Sequence, residues 1–108
     1  MAGPRMTTSV LKVVAALLAE PDAERYGLQL MQDTGLPSGT LYPILVRLER
    51  AGWVASRWEE ADPAAEGRPN RRYYTLTADG AAEARREVAL MHQQMSRASG
   101  PLGETRPA

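Results

Sequence analysis

The chain has 108 residues, 44% of them hydrophobic and 24% charged, which suits one folded domain with a single modest core. It contains no cysteine and one histidine, so it lacks a thiolate nucleophile, a disulfide framework and the ligands of a Cys/His zinc site. The formal net charge is zero, so the strongly basic composition of many nucleic-acid-binding domains is excluded.

The first predicted element is an amphipathic helix, because apolar residues recur at three- and four-residue steps from Val10 onward. Thr8 or Ser9 is the expected cap, and the helix is predicted to end before Pro21. Residues 1–6 carry no periodic pattern and are expected to be flexible. No apolar run approaches the ~20 residues that a membrane-spanning helix needs, so we expect a cytoplasmic protein without a membrane partner.

Two further helices are predicted around a tight turn. The first begins near Tyr26 and ends at Gly35, and Pro37 follows in the turn. Ser38 suits the N-cap of the next helix, which ends at Gly52. Two helices joined in this way are typical of a helix-turn-helix. The apolar stripe of its second helix consists of Leu41, Ile44, Leu45 and Leu48.

A β-hairpin is predicted next, from two β-prone runs at residues 53–58 and 72–76. Residues 61–70 between them are rich in Ala, Pro, Gly and charge and predict a mobile loop. Strand alternation predicts Tyr74 and Leu76 in the core, whereas Tyr73 and Thr75 point the other way. A hairpin after a helix-turn-helix is typical of a wing.

A last helix is predicted over residues 77–98, with Thr77 as its cap. Its heptad seam either packs on the first helix of the same chain or pairs with a second chain. Pairing is favoured, because so small a domain cannot bury the whole seam of a long helix. Residues 99–108 show no pattern and are predicted to be a disordered tail. The expected dimer interface consists of Ala84, Val88, Met91 and Met95.

The predicted fold class is therefore mainly α with a small β-hairpin (α+β), a winged helix-turn-helix in the order helix, helix, helix, strand, strand, helix. Residues 7–76 form the predicted DNA-binding domain, and residues 77–98 the dimerisation helix.

Three stretches occur in this order along the chain: YGLQL at residues 26–30, SGTLYPILVRLERAGWV at residues 38–54 and GRPNRRYYTLTADG at residues 67–80. Their order and spacing resemble the PadR family of winged-helix regulators, over roughly residues 8–95. The short C-terminal part resembles the compact branch with one dimerisation helix. Trp53 departs from the family pattern, where a smaller aliphatic residue is more usual, and so do the acids of the wing loop.

The resemblance implies a homodimer that binds a palindromic operator in double-stranded DNA, commonly as a repressor. In some members a small aromatic or drug-like effector releases the protein from DNA. Trp53 and Trp58 are candidates for stacking on such an effector, with packing in the core or wing as the default alternative.

If the apolar stripe of the third helix faces the core, its other residues face the DNA groove or its rim. Ser38 is either a helix cap alone or a cap that also contacts DNA, and Tyr42 is either a DNA contact or a half-buried core aromatic. Pro43 more naturally fixes the start of the helix than touches DNA. Arg47 reaches a guanine or a phosphate, or else pairs with Glu49 or Glu20. The predicted contacts are Ser38, Gly39, Thr40, Tyr42, Pro43 and Arg47.

The wing supplies the second set of predicted DNA contacts: Arg68, Asn70, Arg71 and Arg72. Three guanidinium groups at a loop tip suit a minor groove or its phosphates. The alternative is an ordinary solvated charge run.

A DNA-binding transcription regulator is the function that these features predict. A winged helix used as a protein-binding module is the alternative, because of the zero net charge and the acidic wing loop. No enzyme is expected, since no nucleophile with a base and no paired acids are recognisable, and no cofactor is expected either. We assign His92 no catalytic or metal role.

Overall fold

The computed structural model describes the backbone of residues 3–105 and the side chains of residues 3–98. Along this part of the chain the elements are α1 (Thr8–Ala19), β1 (Arg25–Tyr26), α2 (Gly27–Thr34), α3 (Ser38–Arg50), β2 (Val54–Trp58), α4 (Pro63–Glu66), β3 (Arg72–Leu76) and α5 (Ala78–Thr105). The mainly helical fold with a small antiparallel sheet confirms the predicted fold class.

The predicted element order lacks two short elements, β1 and α4. β1 has two residues, too few to show the alternation that predicts a strand. α4 is a single turn within the predicted mobile loop, and it begins where Asp62 Oδ1 accepts the N–H of Ala64 at 3.0 Å. The prediction of a loop without secondary structure at residues 61–70 is corrected to this extent.

The first two helices have well-defined ends. Thr7 is the N-cap of α1 and accepts the N–H of Val10 at 3.2 Å, so the prediction of Thr8 or Ser9 is wrong by one residue or more. Gln29 in α2 accepts the N–H of Tyr26 at 3.1 Å. Gly35 ends α2 as predicted, with a φ of 74° that glycine adopts without steric cost.

The start of α3 differs from the prediction. Pro37 is the N-cap, its carbonyl accepts the N–H of Leu41 at 2.9 Å, and no side chain caps the helix. Ser38 is therefore the first helical residue, and the prediction of Ser38 as the cap is wrong. Pro43 lies inside α3 and does not fix its start. Because proline has no N–H, the carbonyl of Gly39 loses its usual helical donor.

The strands form one antiparallel sheet in the order β1-β3-β2. β2 and β3 pair from Val54 opposite Leu76 to Trp58 opposite Arg72. These two strands and the loop between them, which contains α4, form the wing.

The core lies between α1, α2, α3, the inner face of the sheet and the start of α5. As predicted, Tyr74 and Leu76 are buried, whereas Tyr73 and Thr75 are only partly buried on the other face. The predicted stripe of α3 is also buried. The buried apolar residues are Val10, Val13, Val14, Leu17, Leu30, Leu41, Ile44, Leu45, Leu48, Trp53, Val54, Tyr74, Leu76, Ala81 and Ala84.

α5 begins at the predicted cap, because Thr77 Oγ1 accepts the N–H of Gly80 at 2.9 Å. It packs against α1 and then extends beyond the core, so the molecule is elongated, with extents of 64 × 32 × 23 Å. The helix continues to Thr105, past the predicted end at residue 98. A nucleated helix gains one hydrogen bond per added residue and needs no apolar pattern to propagate.

Parts of both chain ends lie outside the described residues. Residues 1–2 of the predicted flexible start and residues 106–108 of the predicted disordered tail lie outside the described residues. Within the described part of the start, Met6 packs against the core. Among the described helices none is both long and apolar enough to cross a membrane.

Candidate nucleic-acid interface

α3 has two faces of different chemistry. Its apolar stripe is buried, and the opposite, outer face is open to solvent. Five of the predicted contacts on this helix are exposed, namely Ser38, Gly39, Tyr42, Pro43 and Arg47, and Thr40 is half-buried. The structure therefore brings the α3 residues predicted from sequence to one accessible helical surface.

Two residues of this outer face were missed by the sequence analysis. Val46 is 45% exposed, and Arg50 is exposed at the last residue of the helix. Val46 follows Tyr42 by four residues and Arg50 follows Val46 by four, so they share one face. The helical period that identified the buried stripe, applied to its opposite side, would have found both.

Tyr42 is neither a core aromatic nor a fully solvated side chain. It is 42% exposed, and its phenol rests against Gly27 at the start of α2, where a side chain would meet the hydroxyl. The tyrosine therefore lies over the α2 terminus on the flank of α3 that faces the wing.

A cleft of about 590 Å³ separates this flank from the wing. Tyr26, Leu28 and Tyr42 form one wall. Trp58, Tyr74 and residues 68–72 form the other wall, and all four predicted wing contacts belong to it. The cleft thus combines aromatic surfaces with arginine side chains.

Arg68 is bound to an acid of its own chain. Its two terminal nitrogens donate to the carboxylate of Glu59 at 2.7 and 3.0 Å, and the same carboxylate accepts the N–H of Arg71 at 3.2 Å. The hydrogen bond from Arg68 is the main cause that lowers the pKa of Glu59 to about 2, and the N–H of Arg71 acts in the same direction. The charge of Arg68 is therefore matched locally.

The two following arginines also lie against neighbours within the chain. The Arg71 guanidinium lies 4.1 Å from the centre of the Tyr26 ring, and it forms no ion pair among the described residues. Arg72 donates two hydrogen bonds to Ser56 Oγ and lies 3.7 Å from Glu49. Glu49 pairs in this way with Arg72 and not with Arg47, the partner considered from sequence.

The tip of the wing is acidic. Glu60, Asp62 and Glu66 are exposed around α4, whereas Arg68, Asn70, Arg71 and Arg72 are only partly exposed at the base of the loop. The Oδ1 atom of Asn70 is buried and accepts no hydrogen bond within the described part of the chain. The three guanidinium groups therefore do not form the cluster at the loop tip that the sequence suggested, and their contact with DNA stays a prediction.

The predicted dimer seam is divided along α5. Ala84 has no exposed surface and Val88 packs against the core of its own chain. Met91 is half-buried, and Met95 is 63% exposed. Leu90, which the sequence analysis did not select, is also exposed. Exposure along the seam is therefore greatest in its second half, at Met95.

The tryptophans occupy different environments. Trp53 is 5% exposed within the core, whereas Trp58 is 58% exposed and lines the cleft. His92 is exposed on α5, and the described residues contain no group of three His, Cys, Asp or Glu side chains suited to a metal ion.

The sequence profile named Transcriptional regulator PadR-like family matches residues 14–86. The chain belongs to the PadR-like family. A PadR family transcriptional regulator from Eggerthella lenta is 30% identical, with a TM-score of 0.64 over 87% of this chain and 82% of that one. A protein from Streptococcus mutans is 26% identical, with a TM-score of 0.68 over 97% of this chain and 100% of that one.

The fold is also found in a more distant regulator. BpsR from Bordetella bronchiseptica, whose DNA binding is regulated by 6-hydroxynicotinic acid, is 20% identical, with a TM-score of 0.70 over 93% of this chain and 70% of that one. No curated protein sequence shows a significant match. As a PadR-like protein, the chain is a DNA-binding transcriptional regulator and not an enzyme.

Proposed function

We propose that this PadR-like protein is a cytoplasmic, dimeric repressor that reads a palindromic operator with the outer face of α3. The observation that carries the proposal is the division of α3 into a buried apolar stripe and an exposed face that holds Gly39, Tyr42, Val46 and Arg47. A helix with one free face suits the major groove of B-form DNA.

The outer face of α3 offers several kinds of contact to DNA. Val46 presents an apolar surface suited to a thymine methyl group, and the Tyr42 hydroxyl is within the same helical surface. Arg47 and Arg50 carry exposed guanidinium groups that suit guanine edges or phosphates. In the wing, Arg71 is the guanidinium without an ion pair among the described side chains, and we assign it to the phosphates beside the adjacent groove.

Dimerisation is proposed through the part of α5 that extends beyond the core. Met91 and Met95 continue the seam of Ala84 and Val88 along α5; Met91 is half-buried and Met95 is 63% exposed. Two copies joined there would hold two α3 helices for two half-sites, and half-sites one turn apart are about 34 Å apart on the same face of the duplex.

We assign release from DNA by a small aromatic effector to the cleft between α2, α3 and the wing. Its volume of about 590 Å³ lies within the usual range of ligand pockets. Tyr26, Tyr42 and Trp58 supply ring surfaces, and the buried Asn70 Oδ1 can accept a hydrogen bond. A ligand in this cleft would touch both parts that we propose to contact DNA. The control of BpsR by 6-hydroxynicotinic acid is a precedent among proteins with this fold.

Operator binding is tested by selecting duplexes from a random-sequence pool with the purified protein and measuring the affinity of the recovered sequence at several salt concentrations. We expect a palindromic sequence, and affinity that falls as salt rises because phosphate contacts release counterions. Recovery of unrelated sequences, or affinity independent of salt, would contradict the proposal.

The dimer is tested by sedimentation of a variant with Met91→Glu and Met95→Glu. Two carboxylates in an apolar seam should convert a dimer to a monomer and weaken operator binding. Gln93→Glu is the matched control, because residue 93 is exposed on the opposite side of α5. A monomeric unaltered protein at the concentrations that bind DNA would refute the dimer.

A second candidate is a winged helix that recruits another protein without operator binding. The acidic tip around α4 and the internal pairing of Arg68 with Glu59 favour this alternative. Its signature would be a partner interaction that survives Arg47→Ala and Arg71→Ala together.

A further inference from the structure

Arg72 is held by side chains from two other elements, α3 and β2. Its Nη2 and Nε donate to Ser56 Oγ at 2.8 and 3.1 Å, and Ser56 donates its own proton to Glu49 Oε2 at 2.8 Å. Nη2 lies 3.7 Å from the same Glu49 oxygen, and the guanidinium lies 5.2 Å from the centre of the Trp58 ring. We refer to Glu49, Ser56 and Arg72 as the clamp.

The clamp joins the helix that faces DNA to both strands of the wing. Glu49 lies on the flank of α3 that carries Tyr42, Ser56 lies in β2, and Arg72 is the first residue of β3, where the wing loop returns to the sheet. Among the described residues, one side-chain hydrogen bond joins α3 to these strands, from Ser56 to Glu49, and Arg72 donates to the same Ser56 from β3. The turn at residues 51–53 also connects the end of α3 to the start of β2, where the N–H of Trp53 donates to the carbonyl of Leu48 at 2.9 Å, but no such backbone bond links α3 to β3 among the described residues.

We propose that Arg72 is a positioning residue for DNA binding, which through Ser56 and Glu49 fixes the angle between α3 and the wing. The proposal rests on the proposed insertion of the outer face of α3 into the major groove. Adjacent grooves are separated by one backbone strand, so two elements that reach into them need a fixed mutual geometry. A site that is loose by about 1 Å loses much of its function.

The proposed role of Arg72 differs from that of an arginine that binds a DNA phosphate. Two of its N–H donors are directed at Ser56, and its side chain is 36% exposed. An arginine that bonds a phosphate is tested by the salt dependence of binding, because each lost phosphate contact lowers the slope of log affinity against log salt by about 1. A positioning arginine changes affinity without changing that slope.

Glu49→Gln gives the sharpest test, because charge and geometry predict opposite results. Removal of a negative charge beside DNA should tighten binding if electrostatics alone matters. Loss of the carboxylate that orders Ser56 and Arg72 should weaken it. We expect Glu49→Gln, Ser56→Ala and Arg72→Gln each to weaken operator binding by about 5- to 20-fold with an unchanged salt slope.

Matched controls come from the same elements. Ser56→Thr keeps the hydroxyl and should bind the operator as the unaltered protein does. Arg47→Gln removes an exposed guanidinium of α3 and should lower the salt slope. Circular dichroism and urea unfolding establish the folded fraction of every variant, so that affinities refer to folded protein.

Selection from the random-sequence pool supplies a readout that a purely structural role would not change. Glu49→Gln and Arg72→Gln should recover duplexes with a variable spacing between the major-groove determinants and the flanking base pairs. The proposal is overturned if Arg72→Gln lowers the salt slope by about 1 while Glu49→Gln binds equally or more tightly. It is also overturned if the variants lose folded protein but keep the original spacing preference. Failure of the unaltered protein to select any duplex would instead contradict the proposed function, and the role of the clamp with it.

Discussion

The hydroxyl of Tyr42 on α3 lies directly over Gly27, the first residue of α2. The contact exists because Gly27 has no side chain, and it leaves Tyr42 on the flank of the helix that faces the wing. One residue of α2 thereby controls the direction of a side chain on the surface proposed to read DNA.

Gly27→Ala should change DNA recognition more than stability. The added methyl group would collide with the far end of the Tyr42 side chain, which is 42% exposed and free to turn outward. Alanine also favours the helix by up to about 1 kcal/mol, so we expect a change of less than about 1 kcal/mol in the free energy of unfolding. Urea unfolding measures the stability, and selection from random duplexes measures the altered preference. A large loss of stability with an unaltered operator would contradict this expectation.

Gly80→Ala should lower the stability of the protein, in contrast to Gly27→Ala. A methyl group there would lie 2.6 Å from the Cα of Trp53, and backbone cannot turn aside as a side chain can. We expect the free energy of unfolding to fall by about 2–4 kcal/mol in urea unfolding. Gly39→Ala is the control, because it has no atom within 4 Å of the added methyl group and should not lower stability. Equal stabilities of the two variants would show that the approach of α5 to Trp53 is not tight.

The pair of Glu59 and Arg68 should stabilise the wing loop in a pH-dependent way. The folded pKa of Glu59 is about 2, below its ordinary value of 4.5. A lowered carboxyl pKa gives a stabilisation that is complete above about pH 5 and is lost as the pH falls toward 2. Arg68→Gln should therefore increase amide exchange of Arg71, whose N–H Glu59 accepts, at pH 7. The difference from the unaltered protein should shrink as the pH falls.

A second bidentate pair provides the control for this pH experiment. Arg57 donates to both oxygens of Glu24 and lowers the pKa of that carboxyl as well. Arg57→Gln should leave exchange at the Arg71 amide unchanged, since Arg57 donates to Glu24 and not to Glu59. If protection of the Arg71 amide does not change with pH in either variant, Glu59 does not have this role.

Val46 and Arg47 are adjacent on α3, and their substitutions should affect DNA binding in different ways. Val46→Ala removes an exposed apolar surface and should alter preference at one operator position by about 1–3 kcal/mol. Arg47→Ala removes an exposed charge and should weaken all duplexes alike, with a salt slope lowered by about 1 if the charge contacts a phosphate. Affinity titrations against the operator and a set of single-base variants distinguish the two. Uniform losses from both would place Val46 away from the base edges.

Much of the fold could be predicted because its determinants are local. The helical period of Leu41, Ile44, Leu45 and Leu48 indicates which side of α3 is buried, and it equally indicates the exposed side. Alternation in β3 places Tyr74 and Leu76 inside. Gly35 and Thr77 mark helix ends through backbone chemistry that acts within a few residues. The short β1 and α4 escaped because they are too brief to carry a period.

Local sequence patterns were sufficient to predict the long helices, the hairpin and the buried side of α3, and they contain the motifs that carry the family resemblance. The partners of the wing arginines, in contrast, follow from the three-dimensional arrangement: Glu59 for Arg68, Tyr26 for Arg71, and Ser56 and Glu49 for Arg72. The same arrangement also decided that Ala84 is covered by its own chain. Periodicity reports which side of an element is apolar, whereas ion pairs and stacking depend on which distant elements the fold brings within a few ångströms.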